Sequence, residues 1–363
     1  MTHDEYPLRV KMLSAKTVTY SLRHGQEEQL ACRRWRCGRW WVKQYERSNL
    51  RCFGFCKLSQ PQTVEASEVK GISSYKIGFS SGKLTDNLCF LRISNSRMSD
   101  RRNDLLTQYG FRFGKNGPHA ARTMMLDDLK VLLAAVPQEA NETDYAHQVI
   151  DLNVLGKPTK KARELAYRHL VTLYGLDPKF PLFRMFRRLW AADEQAQPVL
   201  ALTVALARDP LLAGTQEFIL QKHDGQHVSR EDLEALLVQS HPDRFSPASL
   251  KSFAQNVNGT WTFAGYLAGR NRKTRSQPVI TPANVAMCLF MGHLQGMSGQ
   301  RLFTSSWCKL IPGSEQDIES LTNAAYHRGL IVFLNAGGVK EVRFSDSLTP
   351  TEDQIRQELA HEL

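Results

Sequence analysis

The chain has 363 residues, 42% of them hydrophobic, with 47 Lys/Arg against 36 Asp/Glu, a formal net charge of +11. That apolar content excludes a disordered chain, the length allows about two or three domains, and the basic balance points to a polyanionic partner. The longest apolar run, Val199 to Ala207, ends at Arg208, far short of the roughly 18 residues of a spanning helix, so no membrane segment is expected.

The charge is unevenly placed. Up to Arg97 there are 17 Lys/Arg and 8 Asp/Glu, a net of +9, whereas from Met98 onward there are 30 and 28, a net of +2. A nucleic-acid contact beyond Met98 must therefore rest on local patches. Residues 1–97 also hold five of the seven cysteines, and the stretch CRRWRCGRWWVKQ follows neither a helix nor a strand period. They are expected to be an atypical basic extension, poorly ordered or not native, with the natural start at Met98. Cys32, Cys37, Cys52 and Cys56 have the spacing C-x4-C-x14-C-x3-C and are the weak metal candidates. Four thiolates could hold zinc, but the first pair is looser than the usual C-x2-C, and a mobile tail is the competing reading. No other metal and no cofactor is expected. Lacking a secretory signal, the chain fits a reduced, cytoplasmic compartment.

From Phe111 the pattern turns helical. FRFGKNGP gives a short alternation and a turn, after which Met124, Met125, Leu129, Leu132, Leu133 and Val136 recur at helical spacing. A second helix is predicted over Thr143–Asn153. A third, TKKARELAYRHLVTLYGL, has Thr159 as its cap and Gly175 as its stop. AQPVLALTVALARDPLLA is apolar nearly all round and is expected to be the central buried helix of a bundle over 98–225.

A second region is read over 226–345. Ser229 with Asp232 resembles a capping box, HPDRFSP is a turn, and Ser246 with Pro247 starts another helix, which Asn258-Gly259 is expected to bend or interrupt. Then comes GRNRKTRS, with Arg270, Arg272, Lys273 and Arg275 and no acid, followed by a helix from Thr281. Helix, turn, helix, basic loop is the order of a plain or winged helix-turn-helix. SGQRLFTSSWCKLI and SEQDIESLTNAAYHRG read as two more helices, and LIVFLNAGGVKEVRF as a β-hairpin. The acidic tail, 346–363, is expected to fray.

The candidate nucleic-acid contacts follow. Arg270, Arg272, Lys273 and Arg275 would grip phosphates, and Lys251, Gln255, Asn256, Asn258 and Thr260 on the preceding helix would face base edges or phosphates. Lys157, Lys160 and Lys161 oppose the dipole at the start of the third helix, so an anionic partner would explain them. Arg163, Arg168, Arg184, Arg187 and Arg188 extend that group. No nucleophile elbow, phosphate loop, zinc-protease or dinucleotide motif is present, and the histidines are scattered, so no enzyme is expected.

At FRFGKNG, with ARTMMLDDL and VIDLNVLGKPTKKARELAYRHL downstream, the sequence resembles the BrxA family of BREX phage-defence systems. Phe113, Gly114 and Gly117 would match the family's opening segment, and Asn153, Leu155, Lys157, Thr159 and Ala162 its turn into a basic helix. The resemblance covers about 111–174. It implies a NusB-like helical bundle, here followed by helix-turn-helix or winged-helix units and a C-terminal hairpin. It also implies non-enzymatic binding of double-stranded DNA beside other defence-system proteins. Family members have been labelled inner-membrane proteins, which the hydropathy here contradicts. The alternatives are a scaffold whose basic patches meet acidic proteins, and a winged-helix transcriptional repressor.

Overall fold

The computed structural model describes residues 100–361 apart from Asp346, the backbone of 96–99 and, before that, five short strands. The chain divides into two units, Met1–Asp100 and Arg101–Leu363. In the first, β1 (Arg9–Ser14), β2 (Thr17–Ser21) and β3 (Glu27–Ala31) form an antiparallel sheet in that order, and β4 (Val64–Glu65) pairs with β5 (Lys76–Ile77). Cys32, Cys37, Cys52 and Cys56, and the zinc expectation with them, lie outside the described residues.

The second unit is mainly helical. Most of α1 (Ser96–Gln108) belongs to it, followed by a 3-10 turn at Pro118–Ala120, α2 (Leu126–Ala135), and α3 (Glu142–Ala146), which runs on as a π-turn over His147–Asp151. Next come α4 (Lys160–Tyr174), α5 (Pro181–Ala192), α6 (Gln197–Arg208), α7 (Pro210–Ala213) and α8 (Gln216–Leu220). Then follow α9 (Arg230–Ser240), α10 (Pro247–Phe263), β6 (Leu267–Ala268), β7 (Thr274–Arg275) and α11 (Pro282–Leu294). After 3-10 turns at Gly299–Leu302 and Cys308–Leu310 come α12 (Glu315–His327), β8 (Val332–Ala336), β9 (Val339–Arg343) and α13 (Pro350–His361).

Local chemistry explains most of these boundaries. The Thr159 hydroxyl accepts from Ala162 N–H at the start of α4, and Gly175 ends it at φ 87°. Ser229 and Asp232 form a reciprocal capping box on α9, and Ser246 with Pro247 opens α10. Asn141 caps the second predicted helix, because its side chain accepts from both Thr143 and Asp144 N–H. The β8–β9 hairpin turns on Gly337-Gly338, both at positive φ, as a two-residue turn requires.

The core is continuous. In α6 every residue from Val199 to Arg208 is buried, and α11 is buried from Pro282 to Gly292. Each fully buried large apolar side chain contributes about 1.5–3 kcal/mol relative to exposure. α11 packs on α5, α6 and α12, and one cluster of buried residues runs from Leu106 to Leu359. No separate core therefore marks the division expected at 225/226. Among the described residues no single helix is long and apolar enough to cross a membrane; α6 and its successor pass on composition only as a pair bent by 104°.

Three expectations are corrected. Residues 299–310 form two 3-10 turns rather than a helix, with Leu302 and Ser305 packed against Gly292 of α11. Asn258-Gly259 neither bends nor interrupts α10, which continues to Phe263. The acidic tail does not fray but forms α13. Leu359 is buried, Tyr109 donates its hydroxyl hydrogen to Glu352 O at 2.5 Å, and Arg184 pairs with Glu352 at 2.7 Å.

Candidate nucleic-acid interface

The basic loop is the tip of a small ribbon. β6 and β7 pair antiparallel, Leu267 opposite Arg275 and Ala268 opposite Thr274. A third segment joins on the far side: His227 bridges Thr274, Val228 donates to Lys273 O, and Arg275 N–H donates to Gln226 O. Gly269 sits at φ 95°, and a Cβ there would lie 2.1 Å from Arg272 O, so the turn requires glycine.

The four loop cations have three different fates. Arg270 and Arg272 are exposed and make no hydrogen bond or ion pair within the described residues. Lys273 is half-buried, its Nζ donates to Gly269 O at 2.6 Å, and burial holds its pKa below the usual lysine value. Arg275 is buried: its guanidinium lies 5.3 Å from the Tyr266 ring centre and donates to Tyr266 O at 3.2 Å and to Ser276 O. It is a strut of the ribbon, which corrects its assignment as a phosphate contact.

The preceding helix divides in the same way. Lys251 and Gln255 are exposed one turn apart on the outer face of α10. Asn256 instead donates to His119 O at 3.1 Å, Asn258 is buried, and the Thr260 hydroxyl is fully buried, accepting from Met124 N–H at 2.9 Å. These three point inward, so only Lys251 and Gln255 keep the geometry of reader residues.

The second basic group is sorted by carbonyls. Arg187 donates to Leu133 O and Val136 O at the end of α2, and Arg163 to Ile150 O in the π-turn. Arg208 donates to Val171 O, Thr172 O and Gly110 O, closing the end of α4, and burial followed by the Arg112 charge lowers its pKa to about 10. These are cations on helix C-terminal carbonyls, where the dipole favours them. Arg184 and Arg188 also reach backbone oxygens. Lys157 pairs with Asp128 at 2.8 Å. Lys160, Lys161 and Arg168 stay exposed with no partner among the described residues. Burial first, then the Arg122 and Arg168 charges, hold His169 below its ordinary pKa, so positive charge gathers along α4.

One buried relay escaped the sequence reading. His119 Nδ1 lies 2.8 Å from Asp209 Oδ2, and its Nε2 lies 2.8 Å from Thr260 Oγ1. Asp209 can only accept, so Nδ1 carries the proton, and the Thr260 hydroxyl closes the chain at Nε2. Burial pushes the Asp209 carboxyl up, but donors from His119 and the Leu212 backbone outweigh it and hold the pKa below the ordinary aspartate value. His119, Asp209 and Thr260 have no exposed surface, so no substrate atom reaches the hydroxyl in this arrangement. The relay braces the 118–125 segment against α7 and α10. Gly117 belongs to it, because a Cβ there would meet Asp209 Oδ1 at 1.6 Å.

Among the described residues no group of three or more His, Cys, Asp or Glu is placed to hold a metal ion. Comparison of the chain with known proteins finds no matching family model and no matching curated protein.

Proposed function

We propose that this protein binds double-stranded DNA without chemistry of its own, as a component of a phage-defence complex of the kind that BrxA-like proteins serve. The observation that carries the reading is the ribbon after α10, whose tip presents Arg270 and Arg272 with no internal partner. The order of elements supports it. A strand-like segment at 225–228, α9, the HPD turn, α10, β6, a basic tip and β7 follow one another as in a winged helix, with the 225–228 segment bonded to β7. In that reading α10 is the recognition helix, Lys251 and Gln255 face the major groove, and the tip grips phosphate. Helices α2 to α8 are read as the NusB-like part, with Lys160 and Lys161 extending the phosphate contact.

Cations already spent on carbonyls contribute no counterion release, so the salt dependence should be modest. A mobility-shift series on duplex DNA at several salt concentrations tests this. Each phosphate contact contributes about −0.9 to the slope of log affinity against log salt. Arg270→Ala with Arg272→Ala should weaken binding and flatten the slope by about two such contacts. Unchanged affinity in that pair removes the tip from the interface.

A further inference from the structure

α10 carries a row at steps of four residues: Lys251, Gln255, Gly259 and Phe263. Residues four apart are neighbours on a helix surface, but the row turns about 40° at each step, so it winds from the two candidate readers round to Phe263. Midway along it the chain at Thr123 comes close: a Cβ on Gly259 would lie 3.2 Å from Thr123 Cγ2. Where the row passes Thr123 it opens into a cavity of about 390 Å³, lined by Arg122, Thr123, Asp127, Lys157 and Phe263 among others. Its other walls are the first turns of α2 and α4, with Leu126 and Ala162.

Two features of this cavity bear on what it could hold. Phe263, at the C-terminal end of α10, is 47% exposed. Arg122 is exposed, and its guanidinium makes no hydrogen bond or ion pair within the described residues. The unpaired Lys160 and Lys161 begin α4 directly beside the cavity wall formed by Ala162. A half-exposed aromatic ring and the unpaired Arg122 guanidinium in one lining match a nucleotide, whose base stacks and whose phosphate needs a positive partner. The volume lies at the low end for small-ligand sites, a size that suits one nucleotide rather than a folded segment.

We infer that this cavity receives a single nucleotide unstacked from the bound DNA, its base against Phe263 and its phosphate towards Arg122. The inference rests on the DNA-binding reading and adds a preference to it. DNA lying along the Lys251–Gln255 stripe reaches the cavity only where a nucleotide has left the stack. Unstacking costs least at a bulge or mismatch, so the protein should favour such sites over a perfect duplex. The Asp127 carboxylate, at the cavity wall, offers an acceptor for a base N–H.

The test compares two duplexes of one sequence, one fully paired and one carrying a single bulged 2-aminopurine, by anisotropy and by 2-aminopurine emission. The full chain should bind the bulged duplex about tenfold more tightly, with 2-aminopurine emission raised as the base leaves the DNA stack. Phe263→Ala should remove both the preference and the emission change, and Phe263→Trp should restore the preference. Equal affinity of the native protein for the two duplexes overturns the inference while leaving DNA binding in place. So does a preference that survives Phe263→Ala. Binding to neither duplex overturns the DNA-binding reading itself, and this inference falls with it.

Discussion

In the second unit two small antiparallel ribbons, β6–β7 and β8–β9, each follow a helix, and they treat positive charge in opposite ways. In β8–β9, Lys340 lies between Glu315 at 2.9 Å and Glu319 at 2.7 Å of α12, and Arg343 pairs with Glu341 at 2.7 Å. These contacts hold the carboxyls of Glu315 and Glu319 below their usual pKa and raise that of Lys340. In β6–β7 no carboxylate among the described residues pairs with the tip cations. Arg275 turns inward onto carbonyls, and Arg270 and Arg272 are left unpaired. A basic hairpin therefore signals a polyanion only when its own fold leaves the charge uncompensated.

The inward strut should be the most sensitive point of this contrast. Arg275→Ala removes a cation from the Tyr266 ring and the donor that serves Ser276 O. The expected loss is about 4 kcal/mol of stability, from charge-assisted hydrogen bonds and the ring contact together. Denaturant unfolding measures it. A loss within the range of an ordinary surface substitution would mean that Arg275 is as free as its neighbours, and the division within the loop would collapse.

The second ribbon is anchored differently, through an uncharged histidine. Phe344, just after β9, packs at 5.0 Å on the His293 ring and 5.1 Å on Phe290. Burial, with the Arg356 charge adding to it and Asp353 opposing, lowers the His293 pKa from 6.5 to about 4. The folded state then binds fewer protons than the unfolded chain between those values, so this contribution is full above pH 6.5 and is lost as pH falls towards 4. The shift corresponds to about 3 kcal/mol. Unfolding free energy measured between pH 4 and 7 should show that slope, and His293→Gln should abolish it. An unchanged slope in the variant would assign it to other groups.

The outward pair should behave in the reverse sense. Arg270→Ala with Arg272→Ala is expected to leave stability within about 0.5 kcal/mol, as for substitutions away from packed or bonded features. DNA affinity should fall by about tenfold at low salt, with the flatter slope already described. A stability loss as large as that of Arg275→Ala would show that the tip cations have structural partners after all.

How much of this could be read from the sequence depends on range. The caps at Thr159, Ser229 and Ser246 were legible because donor and acceptor lie within three residues. The burial of α6 was legible because its residues are apolar on every side. Residues 299–310 misled because their apolar spacing suits a helix, whereas packing of Leu302 and Ser305 on Gly292 favours separate turns. The last helix was hidden by its acids, although Ile355 and Leu359 already mark one apolar face. In the candidate site, types were legible and directions were not. Asn256, Thr260 and Arg275 are suitable residues for DNA contact, and only partners 137, 141 or 9 residues away turn them inward. His119 and Asp209 are 90 residues apart, and no local pattern links them.

Lys340 gives the smallest expected effect and the sharpest control. Its side chain is only 11% exposed and passes 5.0 Å from the Phe303 ring centre, but its ammonium is held by two partly exposed carboxylates, where salt screens the attraction. Lys340→Ala should therefore cost little stability, and the cost should shrink further as salt is raised. DNA affinity should stay the same or rise, because removing a neutralised cation leaves Glu315 and Glu319 nearer to net negative without removing any phosphate contact. If affinity instead falls as much as for the Arg270 and Arg272 pair, then the ion pairs open on binding. Pairing within the free protein would then no longer separate the charges that hold the fold from those that meet DNA.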